Sequence, residues 1–269
     1  MKLASDPVFP IVRRAAPIAL VVAPLLFAPR VSTAQTTDVR YGEPVEVGDG
    51  VARTYVALDA DGRAVEIGVA LSAEALSGLP APVEGPPQAS TVAWDLPFPD
   101  DAPAPYRFAM LDWNPLGHVP PGIYDVPHFD FHFYVTPPEE RDAILPEDPD
   151  YAAKAARAPD STLMPAGYIS PPDATVPRMG THWIDPASHE FHGQPFTQTF
   201  IYGTWDGRVT FLEPMVSLAF LESEPDATTD VLSPEKFEIP GSYPTKYVVH
   251  RDRDSGEIRV GLAGLVERS

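Results

Sequence analysis

The sequence predicts a mainly β protein, an antiparallel barrel or sandwich with a few short helices. Three pairs of alternating apolar runs are joined by short turns rich in Asp and Gly, which is the pattern of β-hairpins. The segments with helical character are few and short. Most of the 34 prolines fall between the runs, where proline stiffens loops and protects the edges of sheets.

The start of the chain has the pattern of an export signal. Arg13 and Arg14 precede the apolar run "AAPIALVVAPLLFAP", and "VSTA" ends in a small-x-small cleavage pattern after Ala34. The apolar run is too short and too interrupted by proline to span a bilayer stably. We therefore expect a signal peptide over 1–34, a single β-rich domain over 35–269 and a periplasmic or extracellular location. An uncleaved anchor and export by the twin-arginine route are the alternatives.

The first half of the domain can be predicted element by element. Residues 35–50 are a polar lead-in, and "VARTYVALDADGRAVEIGVAL" forms a hairpin that turns at Asp61 and Gly62. A short helix with Ser72 as its N-cap follows. The alternating segments "TVAWDLPF" and "YRFAMLDWNP" then predict two strands that lead to the central segment "PHFDFHFYV".

The second half continues the same pattern. Thr136 and Glu139 have the spacing of a capping box, which predicts a helix that runs to about Leu145, and "PDYAAKAARAP" predicts another. "TQTFIYGTWDGRVTFLEPMVSLAFL" forms a hairpin that turns at Asp206 and Gly207. "KYVVHRDRDSGEIRVGLAGLVE" forms the last hairpin.

Charge and cysteine content exclude several classes of function. The formal net charge is −19, and removal of the leader, with four basic residues and one acidic residue, would bring it to −22. Such a charge argues against binding to nucleic acid or to an anionic membrane, because phosphate groups are bound by cations. The chain has no cysteine, so it has no disulfides, and any metal ion must be held by nitrogen and oxygen ligands.

The segment "PHFDFHFYV" places polar side chains on one face of a strand. Successive side chains of a strand point to opposite faces, so the three phenylalanines share one face. The other face carries His128, Asp130, His132 and Tyr134. The segment lies among the most hydrophobic parts of the chain, and buried polar groups must find partners. The polar face therefore predicts a metal site, with a buried hydrogen-bond network or a solvated row as alternatives.

Strand geometry limits which residues can share an ion. His128 and His132 lie roughly 13 Å apart on a straight strand, since each residue adds about 3.3 Å. Metal–nitrogen bonds of about 2.0–2.1 Å do not bridge that span comfortably. Either the strand bends near Pro127, or the true pair is Asp130 with one of the two histidines.

Two distant segments supply further candidate ligands. "MGTHWID" contains His182, and "TFLEPM" contains Glu213, an acid inside an apolar strand. The predicted site is a divalent metal ion, zinc first and manganese, iron or nickel otherwise, held by His128, Asp130, His132, His182 and Glu213. Tyr134 or Asp130 would exchange the proton in any reaction there. The remaining histidines, in loop-like stretches or at a hairpin end, are His118, His189, His192 and His250.

Four segments together resemble a known family: "VALDADGRAVEIGVALSAEALSGLP", "GIYDVPHFDFHFYV", "MGTHWID" and "FTQTFIYGTWDGRVTFLEPMVSLAFL". The chain resembles, over roughly residues 43–267, exported bacterial β-proteins of unknown function whose best-known member is controlled by a sigma-E stress factor. The resemblance implies an exported, self-associating β-rich domain with a His-rich site. It implies no particular reaction.

Two functions therefore fit the sequence. The first is an exported metal-binding β-protein that acts as a metalloenzyme. The second is a non-catalytic β-protein that binds a small molecule or assembles with itself in an envelope stress role. In that second case the phenylalanines, with Trp113, Trp183 and Trp205, would line a cavity or an interface.

Overall fold

The structure, a computed structural model, describes residues 38–172 and 174–269. All of them belong to one unit of the chain. The predicted signal peptide over 1–34 lies outside the described residues. No helix in the described ranges is long and apolar enough to cross a membrane.

The described chain is built mainly from strands. They are β1 (Asp38–Tyr41), β2 (Val45–Val47), β3 (Gly50–Leu58), β4 (Ala64–Leu71), β5 (Val92–Pro97), β6 (Phe108–Asn114), β7 (His128–Tyr134), β8 (Thr175–Val176), β9 (Gly180–Trp183), β10 (Gln198–Trp205), β11 (Arg208–Ser217), β12 (Asp226–Asp230), β13 (Gly241–Tyr243), β14 (Lys246–Arg251), β15 (Ile258–Ala263) and β16 (Val266–Arg268). The α-helices are α1 (Pro138–Asp142), α2 (Tyr151–Ala155) and α3 (Leu218–Glu222), and short 3-10 turns cover Ala73–Leu76, Pro87–Ser90, Ser161–Leu163 and His189–His192.

The strands form two large antiparallel sheets. The first has the order β1-β3-β4-β15-β14-β12, with β2 paired to β3, and the second has the order β5-β6-β7-β11-β10-β9-β8. Strands β13 and β16 form a separate pair. This arrangement confirms the predicted fold class, a mainly β protein with antiparallel sheets and a few short helices.

The three predicted hairpins are present. They are β3 with β4, β10 with β11, and β14 with β15. In the second hairpin both turn residues, Asp206 (φ 53°) and Gly207 (φ 80°), have positive φ angles. Two positive φ angles in a two-residue loop match the right-handed twist of the flanking strands, which is why Asp-Gly is so informative in a sequence.

The hydrophobic core lies between the two sheets. Phe129, Phe131 and Phe133 of β7 are fully buried in one cluster with residues of the first sheet such as Ile67 and Val260. The two sheets therefore pack face to face as a sandwich. A second, smaller apolar cluster covers the opposite face of the second sheet, where loop residues pack on its strands; it consists of Tyr124, Ile184, Phe196, Ile201 and Met215.

Two local predictions were wrong. The expected polar lead-in over 35–50 contains β1 and β2, in which only Val47 is fully buried, so these strands leave little hydrophobic pattern. The capping box at Thr136 does not form, because Pro137 is extended at the N-cap and α1 begins at Pro138. The predicted short helix with Ser72 at its N-cap is present as the 3-10 turn Ala73–Leu76, but the Ser72 hydroxyl makes no cap bond and accepts from the backbone N–H of Val51.

The phenylalanine face of β7 should dominate the stability of the sandwich. We expect Phe131→Ala to lower the free energy of unfolding by about 3–5 kcal/mol, because it removes a fully buried ring and leaves a cavity. The exposed Val83 provides the control, and Val83→Ala should change stability by less than about 0.5 kcal/mol. Guanidinium unfolding measures both; equal effects of the two changes would contradict this description of the core.

Candidate metal centre

The polar face of β7 is buried, although it points away from the sandwich core. His128 and His132 have no exposed surface, and Asp130 is 4% exposed. Strand β7 lies between β6 and β11, and loop segments cover its polar face. The row of polar side chains is therefore not a solvated surface, and the predicted central position of this strand is confirmed.

Neighbouring elements add further polar groups to this face. Asp112 of β6 lies directly across from Asp130, and it is 1% exposed. The register between β7 and β11 places Glu213 across from His132. Strand β9 contributes His182 from further along the sheet.

The first group of candidate ligands consists of His118, His128 and Asp130. Nε2 of His128 lies 3.2 Å from one carboxylate oxygen of Asp130, and Nε2 of His118 lies 3.4 Å from the other. The two imidazole rings meet edge to face, with centroids 4.6 Å apart. His118 comes from the loop between β6 and β7, which folds back over the start of β7.

The second group consists of His132, His182 and Glu213. Nε2 of His132 lies 3.5 Å from one carboxylate oxygen of Glu213, and Nε2 of His182 lies 3.8 Å from the other. Asp112 lies next to this group, since its carboxylate is 4.0 Å from Nδ1 of His132. In each group the candidate ligand atoms all lie within 4.8 Å of one another, a separation that one ion can bridge.

Backbone carbonyls orient three of the histidines. Nδ1 of His118, His128 and His182 each lies within hydrogen-bonding distance of a carbonyl oxygen, to which it can only donate. The acceptors are Val119 (2.8 Å), Val126 (2.7 Å) and Ala174 (2.9 Å), in that order. This contact fixes the tautomer and leaves the Nε2 lone pair directed at the group, as second-shell carbonyls do for metal-binding histidines. Asp130 is held similarly by the side-chain amide of Asn114, which donates to it at 2.8 Å.

Many of the remaining polar atoms of the two groups have no hydrogen-bond partner. They are both carboxylate oxygens of Asp112, both ring nitrogens of His132, Nε2 of His128, one oxygen of Asp130 and one of Glu213. Buried polar atoms in folded proteins almost always have partners, and an orphaned atom loses its hydration without replacement. So many orphans on one face indicate a binding site for a group that accepts lone pairs.

Burial divides the acids of the site into two kinds. Burial raises the pKa of Asp112 well above its usual value, and the neighbouring Asp130 raises it further. Burial likewise raises the pKa of Glu213. Burial would also raise the pKa of Asp130. The nearby His128 and His118 outweigh this effect through their charge and their contacts with the carboxylate, and they hold the pKa of Asp130 well below its usual value.

The buried imidazoles favour their neutral form, which is the form that binds metal ions. Burial lowers the pKa of His132 to about 3 and that of His182 to about 4. His118 differs, because Asp130 outweighs the effect of burial and raises its pKa.

A pocket of about 300 Å³ lies over the two groups. Asp112, His118, Asp130 and His182 contribute polar atoms to its lining. Its walls are mainly apolar and come from Val119, Pro120, Pro171, Pro172, Val176, Met179, Ile184 and Ile201. The phenylalanines of β7 and the tryptophans, predicted to line a cavity if the protein is a ligand carrier, do not contribute to this pocket.

The five residues predicted from the sequence all reach this region, but not as one set. His128 and Asp130 belong to the first group, and His132, His182 and Glu213 belong to the second. The predicted span along the strand explains the division, because the two histidines of β7 are too far apart to share an ion.

Two site residues were missed, and one predicted role does not fit the geometry. Asp112 could have been found as the single charge in the apolar strand "FAMLDWN", whereas His118 lies in a loop with no periodic signal. The hydroxyl of Tyr134, a predicted proton partner, is committed to the carbonyl of Arg178 at 3.1 Å. His189 and His250 contact the acids Glu190 and Asp226, and none of these four residues belongs to either group.

Part of the chain is similar to a known protein family. Residues 59–113 match a family described as TTHB210-like, hypothetical protein TTHB210. The match covers less than half of the chain; it contains Asp112 and ends before the histidines of the two groups. Comparisons with curated proteins and with solved structures found no match. The family description names no activity, so the function must be argued from the site.

Asp112 should make the metal-free protein sensitive to pH. Because its pKa is raised in the folded state, its contribution to stability is present below the unfolded value of about 3.9 and is lost as the pH rises through the folded value. We therefore compare Asp112→Asn with the unchanged protein in the presence of chelator, at pH 5 and at pH 7.5. The variant should gain about 1–3 kcal/mol more in free energy of unfolding at pH 7.5 than at pH 5. Urea unfolding at both pH values measures this difference.

The exposed Asp100 supplies the matched control for that experiment. Asp100→Asn should leave the pH dependence of stability unchanged. A variant Asp112→Asn that keeps the full pH dependence would show that Asp112 is not a buried, unpartnered carboxyl group.

Proposed function

We propose that this protein is an exported bacterial β-protein that binds divalent metal ions at two adjacent positions on the outer face of its second sheet. The observation that carries the proposal is the set of unpartnered nitrogen and oxygen atoms on that face. Apart from the oxygens of Asp112, these atoms belong to His128, Asp130, His132 and Glu213. Together with His118 and His182, these four residues form two groups of three candidate ligands, each with two imidazoles and one carboxylate. A divalent cation in each group would give these residues a partner.

The donor set suits particular metals. Two imidazoles and one carboxylate are a known ligand set for zinc in catalytic sites, which keep a further position open for water or substrate. Manganese, iron and nickel accept the same donors, so zinc is the first candidate and these three are the alternatives. The backbone carbonyls behind three of the histidines supply the outer support that such ligands need.

Asp112 links the two positions. It lies across from Asp130 of the first group and 4.0 Å from His132 of the second. A carboxylate in this place can orient the His132 ring, and the Asp112 side chain also lines the pocket. In its ionised form it would raise the affinity of both positions for cations.

Hydrolysis is the reaction class that such an arrangement would serve. A divalent ion with an open coordination position would polarise a substrate oxygen and lower the pKa of a bound water molecule. The pocket of about 300 Å³ gives a small substrate access to the ligand groups. Asp112, which lines the pocket and belongs to neither ligand group, is the carboxylate placed to take up a proton there.

Metal analysis tests this proposal directly. Protein stripped with chelator, reloaded with zinc and desalted should contain about two zinc ions per chain by mass spectrometry of the elements. His118→Ala and His182→Ala should each lower the content to about one, because each removes a ligand from a different group. A content well below one per chain in the unchanged protein would overturn the proposal.

His250 offers the matched control for the histidine variants. It is exposed, its imidazole pairs with Asp226, and it lies on β14 of the first sheet, whereas β7, β9 and β11 of the candidate site belong to the second. His250→Ala should keep about two zinc ions per chain. A variant that loses zinc must also show an unchanged unfolding transition in chelator, so that loss of a ligand is separated from loss of the fold.

A second candidate function is a non-catalytic, ligand-binding or self-assembling envelope protein. The mainly apolar walls of the pocket favour it, since carriers of small molecules use such walls. Native mass spectrometry of the purified protein separates the candidates: a co-purified organic ligand or a defined oligomer without bound metal would favour this second function.

A further inference from the structure

The charge of the pocket floor determines which ligands it can accept. The carboxylates of Asp112 and Asp130 line this floor, and a third carboxylate, that of Glu213, belongs to the second ligand group. None of the described residues that line the pocket is lysine or arginine. The bound ions are therefore the main source of positive charge at this floor.

Cation binding displaces the protons of carboxyl groups at such a centre, so two divalent ions supply four positive charges against three carboxylates and one positive charge remains. A single divalent ion would instead leave the floor with one negative charge. A buried centre with unbalanced charge is costly in surroundings of low polarity, and a bound ligand of opposite charge removes that cost. A ligand with one negative charge would therefore neutralise the occupied two-ion centre.

The walls determine the rest of the ligand. They are apolar on both sides of the floor, from Val119 and Pro120 on one loop to Val176, Met179 and Ile201 on the strand side. Val119 is 47% exposed, so the pocket reaches the protein surface beside it. The volume of about 300 Å³ exceeds that of an engineered cavity of about 150 Å³ that accepts benzene.

We propose that the pocket binds a small monoanion with an apolar body, of the class of aromatic or branched short-chain carboxylates. The anionic end faces the ions at the floor and the body lies between the apolar walls. Gln88 and Thr91, which also line the pocket, offer further polar contacts to such a ligand. This inference rests on the proposed two-ion function.

Three probes of similar size and different charge test it: benzoate, benzyl alcohol and benzylamine. Each is titrated by calorimetry into the full-length zinc-loaded protein and into the chelator-treated protein, after zinc content has been measured. Benzoate should bind the zinc-loaded protein at least about tenfold more tightly than the other two, and zinc removal should weaken it by at least about tenfold.

Each other outcome overturns the inference in a recognisable way. Zinc binding with no benzoate binding, or with equal binding of all three probes, would refute the ligand class and leave the metal function intact. Tightest binding of benzylamine would show a negatively charged floor and refute the charge argument. Absence of zinc would refute the proposed function and this inference together.

A pair of tryptophan substitutions locates the binding site. Val176→Trp places a large side chain in the pocket wall from a half-buried position, and it should weaken benzoate at least about tenfold while zinc stays at two per chain. Leu232→Trp, at a position 51% exposed and outside the pocket lining, should leave benzoate affinity unchanged. Equal affinities of the two variants would show that benzoate binds elsewhere.

Discussion

The structure depends on one constraint: a central strand buries polar side chains on the face opposite its core side chains. The phenylalanines of β7 fix its register, because a slip of one residue would turn Phe131 out of the core and bring His132 in. The same register forces His128, Asp130 and His132 onto a covered face with few partners. Core packing and the polar site are therefore two consequences of one alternating segment.

A second buried charge, the guanidinium of Arg141, is paired with other side chains of the protein and can be compared with the polar face of β7. Arg141 is 1% exposed, yet its guanidinium donates to Asp95 at 3.1 and 2.6 Å and pairs with Asp142. It also lies over the ring of Phe108, 5.0 Å from the centroid. A buried charge with a structural role is thus surrounded by partners. On the polar face of β7 the imidazoles and carboxylates lie 3.2–4.0 Å from one another, and several of their atoms form no hydrogen bond, which fits side chains arranged to bind something else.

The sequence predicted those features that depend on local patterns. Alternation placed the phenylalanines of β7 in the core, and Asp-Gly marked the turn between β10 and β11. Strand spacing also explained why His128 and His132 could not share an ion. Glu213 was found because an acid inside an apolar strand requires a partner.

The features that escaped prediction depend on contacts between distant parts of the chain. Asp112 joins the site only through the register of β6 against β7, and His118 joins it only through the path of a loop. The division into two ligand groups arises from the cross-strand position of Glu213 beside His132. Strands β1 and β2 were missed because they are held mainly by backbone pairing with β3 and contain a single fully buried side chain, that of Val47.

The central claim is that two ions occupy the polar face of β7. The most direct measurement is X-ray diffraction from crystals of the zinc-loaded protein at energies above and below the zinc absorption edge. We expect two anomalous difference peaks, one within about 2.0–2.2 Å of ligand atoms of His118, His128 and Asp130, and the other equally close to those of His132, His182 and Glu213. A map with ordered side chains at both groups and no peak at either would contradict the account.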